Sequence, residues 1–271
     1  MTQKYLVIGL GESGMAMVRY AQRSAMPVAV YDSRPAPASL PVFSERYPEV
    51  LAHCGPFQAD YLNDVSEIWI SPGLSPHAEP LKTIIELAHA REIAVLGELN
   101  VFVRALDLLR TANPEALYDY KILAVTGTNG KTTVTAMTRQ LCAAAGLNAV
   151  AAGNISPSML DALCDALGAA DTTDEMNVSA LPDVWVLELS SFQLQFAQSN
   201  AIGFNPNAAA VLNITQDHLD WHTDMDEYAQ AKAHIFGADT VRALNRDDAK
   251  VMTMARPNAR VMSFGVNIPT Q

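Results

Sequence analysis

Residues 121–133 read KILAVTGTNGKTT and decide how the chain folds. An apolar run at 122–125 leads into the glycine-rich segment 126–132, and residues 132–145 carry apolar side chains at three- and four-residue spacing. A strand, a tight loop and a helix in this order let backbone amides and a lysine hold nucleotide phosphates. The segment differs from the common GxxxxGK[ST] pattern, because Val125 occupies its first glycine position. It predicts a P-loop-type phosphate site.

Short apolar runs alternate with helical patterns on both sides of this segment, which favours parallel sheets covered by helices. We therefore predict an α/β protein in which a Rossmann-like domain precedes a P-loop-type ATP-binding α/β domain. Strands are expected at residues 5–9, 27–31, 67–70, 93–96, 122–125, 149–152, 184–189, 208–214 and 260–264. Helices are expected at residues 15–25, 81–91, 132–145 and 225–236.

A second glycine-rich loop, GLGESG at residues 9–14, follows the first predicted strand and opens a helix. Asp32, at the end of the next strand, is placed to accept hydrogen bonds from a ribose or a base, and Arg34 could face a phosphate. The pattern fits NAD, FAD or another nucleotide equally well, and it could also be a glycine turn used only for packing.

The predicted domains are residues 1–112 and 118–271, separated by the polar, proline-containing stretch 111–118. Residues 169–182 are polar and predict a surface loop. The chain ends at 265–271 directly after a predicted strand, so we expect the second domain to be incomplete.

Three further features could carry chemistry in the second domain. The segment LELSSFQL at 187–194 places Glu188 at a strand end, where a metal-binding carboxylate is expected in an open sheet. The segment LNITQDHLDWH at 212–222 contains His218, and Lys232 lies in a predicted helix. Taken singly, a solvated glutamate, a surface histidine and a lysine with its ammonium group in solvent are the ordinary interpretations.

The composition limits the possible classes. Eighteen Lys and Arg residues against 29 Asp and Glu residues give a net charge of −11, which argues against a nucleic-acid binder. Three widely spaced cysteines indicate neither a disulfide framework nor a zinc site. The sequence has no long run of consecutive apolar residues, so we expect a cytoplasmic protein without a membrane association.

These segments together resemble the Mur ligases of bacterial cell-wall synthesis. The resemblance rests on GLGESG, SPG at 71–73, GEL at 97–99, TGTNGKTT at 126–133, Gly153 with Asn154, LELSSFQL and NITQDHLD, and it extends over essentially the whole chain. LELSSFQL is the most discriminating segment. It points to the branch of the family that adds D-glutamate.

The resemblance implies a role for each matching residue. The implied ATP-binding residues are Gly127, Thr128, Asn129, Gly130, Lys131, Thr132 and Thr133. The implied catalytic residues are Lys131, Glu188, His218 and Lys232, and the implied magnesium ligands are Thr132, Glu188, His218 and Lys232, the last as a carbamate. The implied residues for the UDP-linked substrate are Gly11, Glu12, Ser13, Gly14, Asp32, Ser33, Arg34, Ser71, Pro72, Gly73, Asn154, Ser190 and Gln193.

The implied reaction is the ATP- and Mg²⁺-dependent joining of D-glutamate to UDP-N-acetylmuramoyl-L-alanine through an acyl phosphate, in the synthesis of peptidoglycan precursors. Family members carry a third domain with most of the D-glutamate site, so we expect this chain to bind the uridine substrate but to ligate poorly. We also expect a monomer. Two other enzyme classes stay open: a sister or folate-type amide ligase, and an NAD-binding oxidoreductase module. A non-catalytic nucleotide-binding regulator is a further alternative.

Overall fold

The computed structural model of the protein describes residues 4–112, 118–170, 177–197, 203–217 and 221–266. Contacts divide the chain into two compact units, Met1–Phe102 with Ser158–Asp165, and Val103–Pro157 with Ala166–Gln271. The predicted boundary at 111–118 lies largely outside the described residues, so the division into domains 1–112 and 118–271 stays a prediction.

The first unit is built on one parallel sheet of five strands in the order β3-β2-β1-β4-β5. Its elements along the chain are β1 (Lys4–Ile8), α1 (Glu12–Arg23), β2 (Val28–Asp32), α2 (Leu40–Arg46), β3 (Leu51–Cys54), β4 (Val65–Ile70), α3 (Leu81–Ala90), β5 (Ala94–Gly97) and the start of α4 (Glu98–Ala112). This is the Rossmann strand order, in which ligands bind where the order reverses, beyond the ends of β1 and β4.

The second unit is built on a parallel sheet of six strands in the order β11-β10-β9-β6-β8-β7. Its elements along the chain are β6 (Lys121–Thr126), α5 (Lys131–Ala144), β7 (Ala149–Gly153), α6 (Met159–Ala170, whose first turns belong to the first unit), β8 (Val184–Glu188), α7 (Ser191–Gln195), β9 (Ala208–Val211), α8 (Met225–Ala233), β10 (Val241–Asn245), α9 (Ala249–Met252) and β11 (Val261–Phe264). The carboxyl end of β6 therefore lies between those of β8 and β9.

Burial explains why the strands read as continuous apolar runs. Every residue of β8 is buried, and Trp185, Val186 and Leu187 have no solvent exposure. In the first unit Leu6, Val7 and Trp69 are equally inaccessible. A strand covered by helices on both faces needs apolar side chains at consecutive positions, since both faces are buried.

The predicted α/β class is confirmed, but several elements were not predicted. Strands β3 and β10 and helices α2, α4, α6, α7 and α9 were missed, and β9 ends at Val211 rather than at 214. Of the predicted loop at 169–182, residues 171–176 lie outside the described residues, while α6 extends to Ala170. No helix within the described ranges is both long and apolar enough to cross a membrane.

Candidate functional site

The first unit has a cleft of about 470 Å³ at the point where its strand order reverses. The glycine loop after β1 and the turn after β4 form two of its sides, and a hydrogen bond from Ser71 Oγ to the Gly9 carbonyl (2.9 Å) joins them. The predicted substrate residues that line it are Gly11, Glu12, Ser13, Asp32, Ser33, Arg34, Ser71, Pro72 and Gly73. The structure thus brings together nearly all of the residues that the sequence singled out in this unit.

Gly14 is the exception, and it contributes to packing. A Cβ atom at this position would lie 1.9 Å from the carbonyl oxygen of Gly9, which is part of the backbone. Only a residue without a side chain allows α1 to approach the end of β1 this closely. Gly14 therefore shapes the cleft without lining it.

Asp32 is buried, and its carboxylate is already fully bonded. Oδ2 accepts from the Leu10 amide (2.7 Å) and from Arg34 Nη2 (2.6 Å), and Oδ1 accepts from the amide and Nε of Arg34 (2.9 and 2.8 Å). These bonds hold the pKa of Asp32 below its usual value despite its burial, which acts in the opposite direction. A carboxylate offers about four acceptor sites, so a ribose could bond to Asp32 only by displacing Arg34.

Glu98 is a buried carboxyl group that the sequence analysis did not assign to the site. Its side chain is 2% exposed, Oε1 accepts from the Leu160 amide (3.0 Å), and Oε2 has no hydrogen-bond partner among the described residues. Burial raises the pKa of Glu98 to about 6, although bonds from that amide and from the hydroxyls of Ser13 and Ser158 lower it. Ser13 also lines the cleft, so this carboxyl group is connected to its wall.

We expect Glu98→Gln to remove a pH dependence of stability. A folded-state pKa of about 6, above the ordinary 4.5, favours folding fully below pH 4.5, and this contribution is lost as the pH rises to about 6. The difference corresponds to about 2 kcal/mol. Urea unfolding of wild type and variant between pH 4.5 and 7.5 measures it.

The exposed Glu86 on α3 supplies the matched control, because Glu86→Gln makes the same chemical change at the surface. The difference in the free energy of unfolding between wild type and Glu98→Gln should grow in favour of wild type on acidification. The same difference between wild type and Glu86→Gln should stay nearly constant. A difference between wild type and Glu98→Gln that does not change with pH would contradict the assigned role of burial.

In the second unit the predicted phosphate loop connects β6 to α5. Gly130 precedes the helix with φ +83°, a left-handed conformation that favours glycine. Asn213, which follows β9, clamps the loop: its carbonyl and Oδ1 accept from the amides of Thr128 (2.9 Å) and Asn129 (2.8 Å). Those two amides are therefore engaged, and the amides that begin α5 are the ones that face outward for an anion.

Two lysines converge on one carbonyl oxygen of this loop. Lys131 Nζ and Lys232 Nζ each donate to the Gly127 carbonyl at 3.1 Å, and Lys131 also donates to the Thr128 carbonyl (3.0 Å). Lys232 is 1% exposed, and its ammonium group lies 4.5 Å from the centre of the Tyr228 ring. Burial and the charge of Lys131 lower the pKa of Lys232 to about 7. It is thus not a lysine with its ammonium group in solvent.

Glu188 ends β8 directly beside the loop. It is 2% exposed, Oε1 accepts from Asn154 Nδ2 (3.1 Å), and Oε2 is buried without a hydrogen-bond partner in the described part of the chain. A buried carboxylate oxygen with unused acceptor capacity fits a hard cation or one of its water ligands. Thr132 is exposed in the first turn of α5, as a hydroxyl ligand would be.

His218, a predicted magnesium ligand, lies outside the described residues. Among the residues that are described, no group of three or more His, Cys, Asp or Glu side chains is close enough to hold a metal ion. Thr133, the last predicted ATP-binding residue, is exposed next to Thr132.

Ser190 and Gln193 form the capping box of α7. The Gln193 amide donates to Ser190 Oγ (3.2 Å), and the Ser190 amide donates to Gln193 Oε1 (3.0 Å). Gln193 is 4% exposed, so the direct role of these two predicted substrate residues is to hold the turn after β8 in place. Behind this turn, Ser191 Oγ and His222 Nε2 are hydrogen-bonded at 2.9 Å.

The sequence analysis missed Asn213 and Tyr228 as residues of this site. Tyr228 Oη lies 3.1 Å from Thr128 Oγ1, and Asn213 holds the loop as described above. A sequence signal existed for Asn213, because it is a polar residue shortly after β9. The carboxyl end of that strand lies at the same edge of the sheet as the phosphate loop. Tyr228 lies four residues before Lys232 on α8, one helical turn away, which is the signal that could have identified it.

Two family models match the chain. The model described as Mur ligase middle domain matches residues 125–271, and the model described as Mur ligase MurD-like, N-terminal domain matches residues 3–97. Curated proteins named UDP-N-acetylmuramoylalanine–D-glutamate ligase are similar to it: that of Paraburkholderia phymatum is 49% identical over 98% of this chain and 50% of that protein. The protein of the same name from Burkholderia cenocepacia is 48% identical over 98% of this chain and 51% of its own length.

The chain thus spans about half the length of the curated relatives it matches. Among solved structures, the UDP-N-acetylmuramate:L-alanyl-γ-D-glutamyl-meso-diaminopimelate ligase of Neisseria meningitides is similar, with a TM-score of 0.56 and 15% identity over 98% of this chain and 78% of that one. That similarity concerns the fold alone. Because the middle-domain model matches more than half of the chain and the N-terminal model matches most of the rest, the chain belongs to the Mur ligase family.

Proposed function

We propose that this chain supplies the UDP-substrate-binding and ATP-binding parts of a ligase that joins D-glutamate to UDP-N-acetylmuramoyl-L-alanine. One observation carries the proposal: two lysines meet at the Gly127 carbonyl, and the loop that bears it runs beside Glu188, a buried carboxylate with an unused oxygen. Such an arrangement suits the transfer of a phosphoryl group, where positioned charges do most of the catalytic work.

In the first unit, the cleft between the loops after β1 and β4 takes the uridine diphosphate. The amides that begin α1 face the phosphates, and Ser13, Ser71 and Arg34 surround them. Since both Asp32 oxygens are bonded to Leu10 and Arg34, the ribose contact typical of NAD enzymes is not offered. This favours the uridine substrate over the oxidoreductase alternative.

In the second unit, ATP places its β- and γ-phosphates at the start of α5. Lys131 turns from the loop carbonyls toward these phosphates and offsets their charge, while Thr132 offers its hydroxyl. Mg²⁺, when bound, neutralises the charge that develops on the transferring phosphoryl group, and Thr132, Glu188 and His218 are the residues that would hold it. Asn154 orients the Glu188 carboxylate through its bond to Oε1.

Lys232 is proposed to react with carbon dioxide and become a carbamate. A pKa of about 7 leaves much of the amine neutral at physiological pH, and the neutral amine is the form that attacks carbon dioxide, releasing a proton. The carbamate would replace the positive charge of the ammonium group, which lies 4.5 Å from the centre of the Tyr228 ring, by a negative charge. In that form Lys232 acts as an orienting group and not as a base.

The proposed reaction has two steps. A carboxylate oxygen of the alanyl group attacks the γ-phosphorus of ATP, ADP leaves, and an acyl phosphate forms. The amine of D-glutamate then attacks the acyl carbon, loses a proton and displaces phosphate to give the amide. Ser190 and Gln193, fixed by their capping box, and Asn154 lie at the strand ends where the muramoyl part of the substrate is proposed to bind.

Calorimetric titration of the chain tests the assignment of the first unit. We expect saturable binding of UDP-N-acetylmuramoyl-L-alanine and no binding of NAD or dihydropteroate, which represent the oxidoreductase and folate-type alternatives. Binding of NAD alone would restore the oxidoreductase alternative, and binding of dihydropteroate alone would restore the folate-type ligase. The cytoplasmic location follows from the substrates proposed, while the monomeric state stays a prediction.

A further inference from the structure

A second large cavity lies in the second unit, at the edge of the sheet opposite the phosphate loop. It has a volume of about 660 Å³ and is lined by residues that precede β9, follow α8 and flank β10, among them Asn205, Phe236, Arg242 and Arg256. In a parallel sheet all amino ends of the strands share one edge. Arg242 is the second residue of β10, so this cavity is distinct from the site at the carboxyl ends.

Arg242 brings a permanent positive charge into this cavity. Its side chain is 4% exposed, Nη1 donates to the Met254 carbonyl (2.8 Å), and the guanidinium group lies 4.8 Å from the centre of the Phe236 ring. Nε is buried with no hydrogen-bond partner among the described residues. Arginine stays protonated at any physiological pH, so burial without a counter-charge is costly.

Arg256 adds a second charge of the same sign. Both arginines line this cavity and also a second cavity of about 200 Å³. Burial, followed by the charge of Arg256, lowers the pKa of Arg242. The described lining residues include no Asp or Glu. The adjacent residues 198–202, outside the described ranges, are Gln, Ser, Asn, Ala and Ile, none of them acidic.

The remaining titratable group of the lining does not supply a negative charge. His234 Nδ1 is hydrogen-bonded to the Leu194 carbonyl at 3.1 Å, and burial lowers its pKa. Asp239 follows the lining residue Ala238 in sequence but is not itself among the lining residues, and its Oδ2 accepts from Asn205 Nδ2 at 3.1 Å. Two arginines thus line one cavity whose described lining residues include no carboxylate, an arrangement that an oxyanion would stabilise.

We propose that this cavity is a binding site for a phosphate group, held by Arg242 and Arg256. A dianion between them compensates both charges, and the planar guanidinium groups offer paired N–H donors that match phosphate oxygens. The cavity is several times larger than phosphate itself, so it accommodates an organic phosphate whose remainder packs toward Phe236. The site is separate from the proposed ATP loop at the other edge of the sheet.

Thermal unfolding of the chain in inorganic phosphate, against potassium chloride at equal ionic strength, tests this site. The exposed Arg256 is replaced in Arg256→Gln, while Arg260→Gln removes another exposed charge four residues away and serves as the control. Lys131→Met disables the other phosphate site. We expect phosphate to raise the unfolding temperature of wild type, Arg260→Gln and Lys131→Met, and the apparent phosphate affinity to fall about tenfold in Arg256→Gln.

The outcomes separate the two phosphate sites. A response that Lys131→Met abolishes and Arg256→Gln leaves intact would place all phosphate at the loop and overturn the proposal. Equal effects of phosphate and chloride on the unfolding temperature of wild type would overturn the proposal as well, because the cavity would then show no preference for oxyanions. Changes of ¹⁵N–¹H amide signals at residues 242 and 256 on addition of phosphate would support it directly.

Discussion

Gly14→Ala should unfold the first unit or lower its free energy of unfolding by about 3 kcal/mol or more. The added Cβ would lie 1.9 Å from the Gly9 carbonyl oxygen and 3.0 Å from its carbon, so two pieces of backbone would have to separate. Moving α1 away from β1 would also break the packing of Met17 and Val18, which are fully buried. Urea unfolding followed by far-UV circular dichroism and by tryptophan fluorescence measures the loss.

Gly73→Ala is the matched control for this prediction. Gly73 lines the same cleft, but a Cβ there would meet no atom within 4 Å, and its φ lies outside the left-handed region. We expect its stability to stay within about 0.5 kcal/mol of wild type. Tryptophan fluorescence reports on the unfolding of both units, because the fully buried Trp69 lies in the first unit and Trp185 and Trp221 lie in the second. Equal stabilities of the two glycine variants would show that α1 can shift at little cost.

The sequence predicted those strands whose local pattern is unambiguous. β1, β6 and β8 are apolar runs bounded by glycine or polar residues, so their positions follow from the chain alone. β3 (LAHC) and β10 (VRALN) carry a histidine or an arginine within the run, so nothing local marks them as strands. Their pairing with β2 and β9 is a tertiary effect, and only the folded sheet reveals it.

The missed helices have a different cause. α4 begins at Glu98, immediately after β5 ends at Gly97, so no loop separates the two elements. Its sequence ELNVFVRALDLLRTA is apolar at many consecutive positions, and five of the seven residues from Leu99 to Ala105 are buried apolar residues. A helix covered on several sides loses the regular spacing that identifies a surface helix.

Residue positions in the site were predictable, whereas their partners were not. Spacing placed Asp32 at a strand end, but only the structure reveals that Arg34 and Leu10 occupy its oxygens. Spacing also placed Lys232 on a helix, but its depressed pKa depends on burial and on Lys131, 101 residues earlier in the chain. Contacts between distant segments determine the chemistry of a group, and a single sequence does not contain them.

Lys131→Met should weaken MgATP binding to the chain by about 10- to 100-fold, the loss of one charge-assisted contact of about 1.5–3 kcal/mol. Lys131 is partly accessible at the start of α5, and its ammonium group donates to two neutral loop carbonyls, so phosphates can capture it at little cost. Lys121→Met is the control, since Lys121 is exposed at the opposite end of the same strand, β6, and forms an ion pair with Asp119 at 2.7 Å. Calorimetric titration should give wild-type affinity for the control. The proposed phosphate site at this loop would be wrong if Lys131→Met bound MgATP as tightly as Lys121→Met, because a loop lysine that faces the triphosphate cannot be lost without effect.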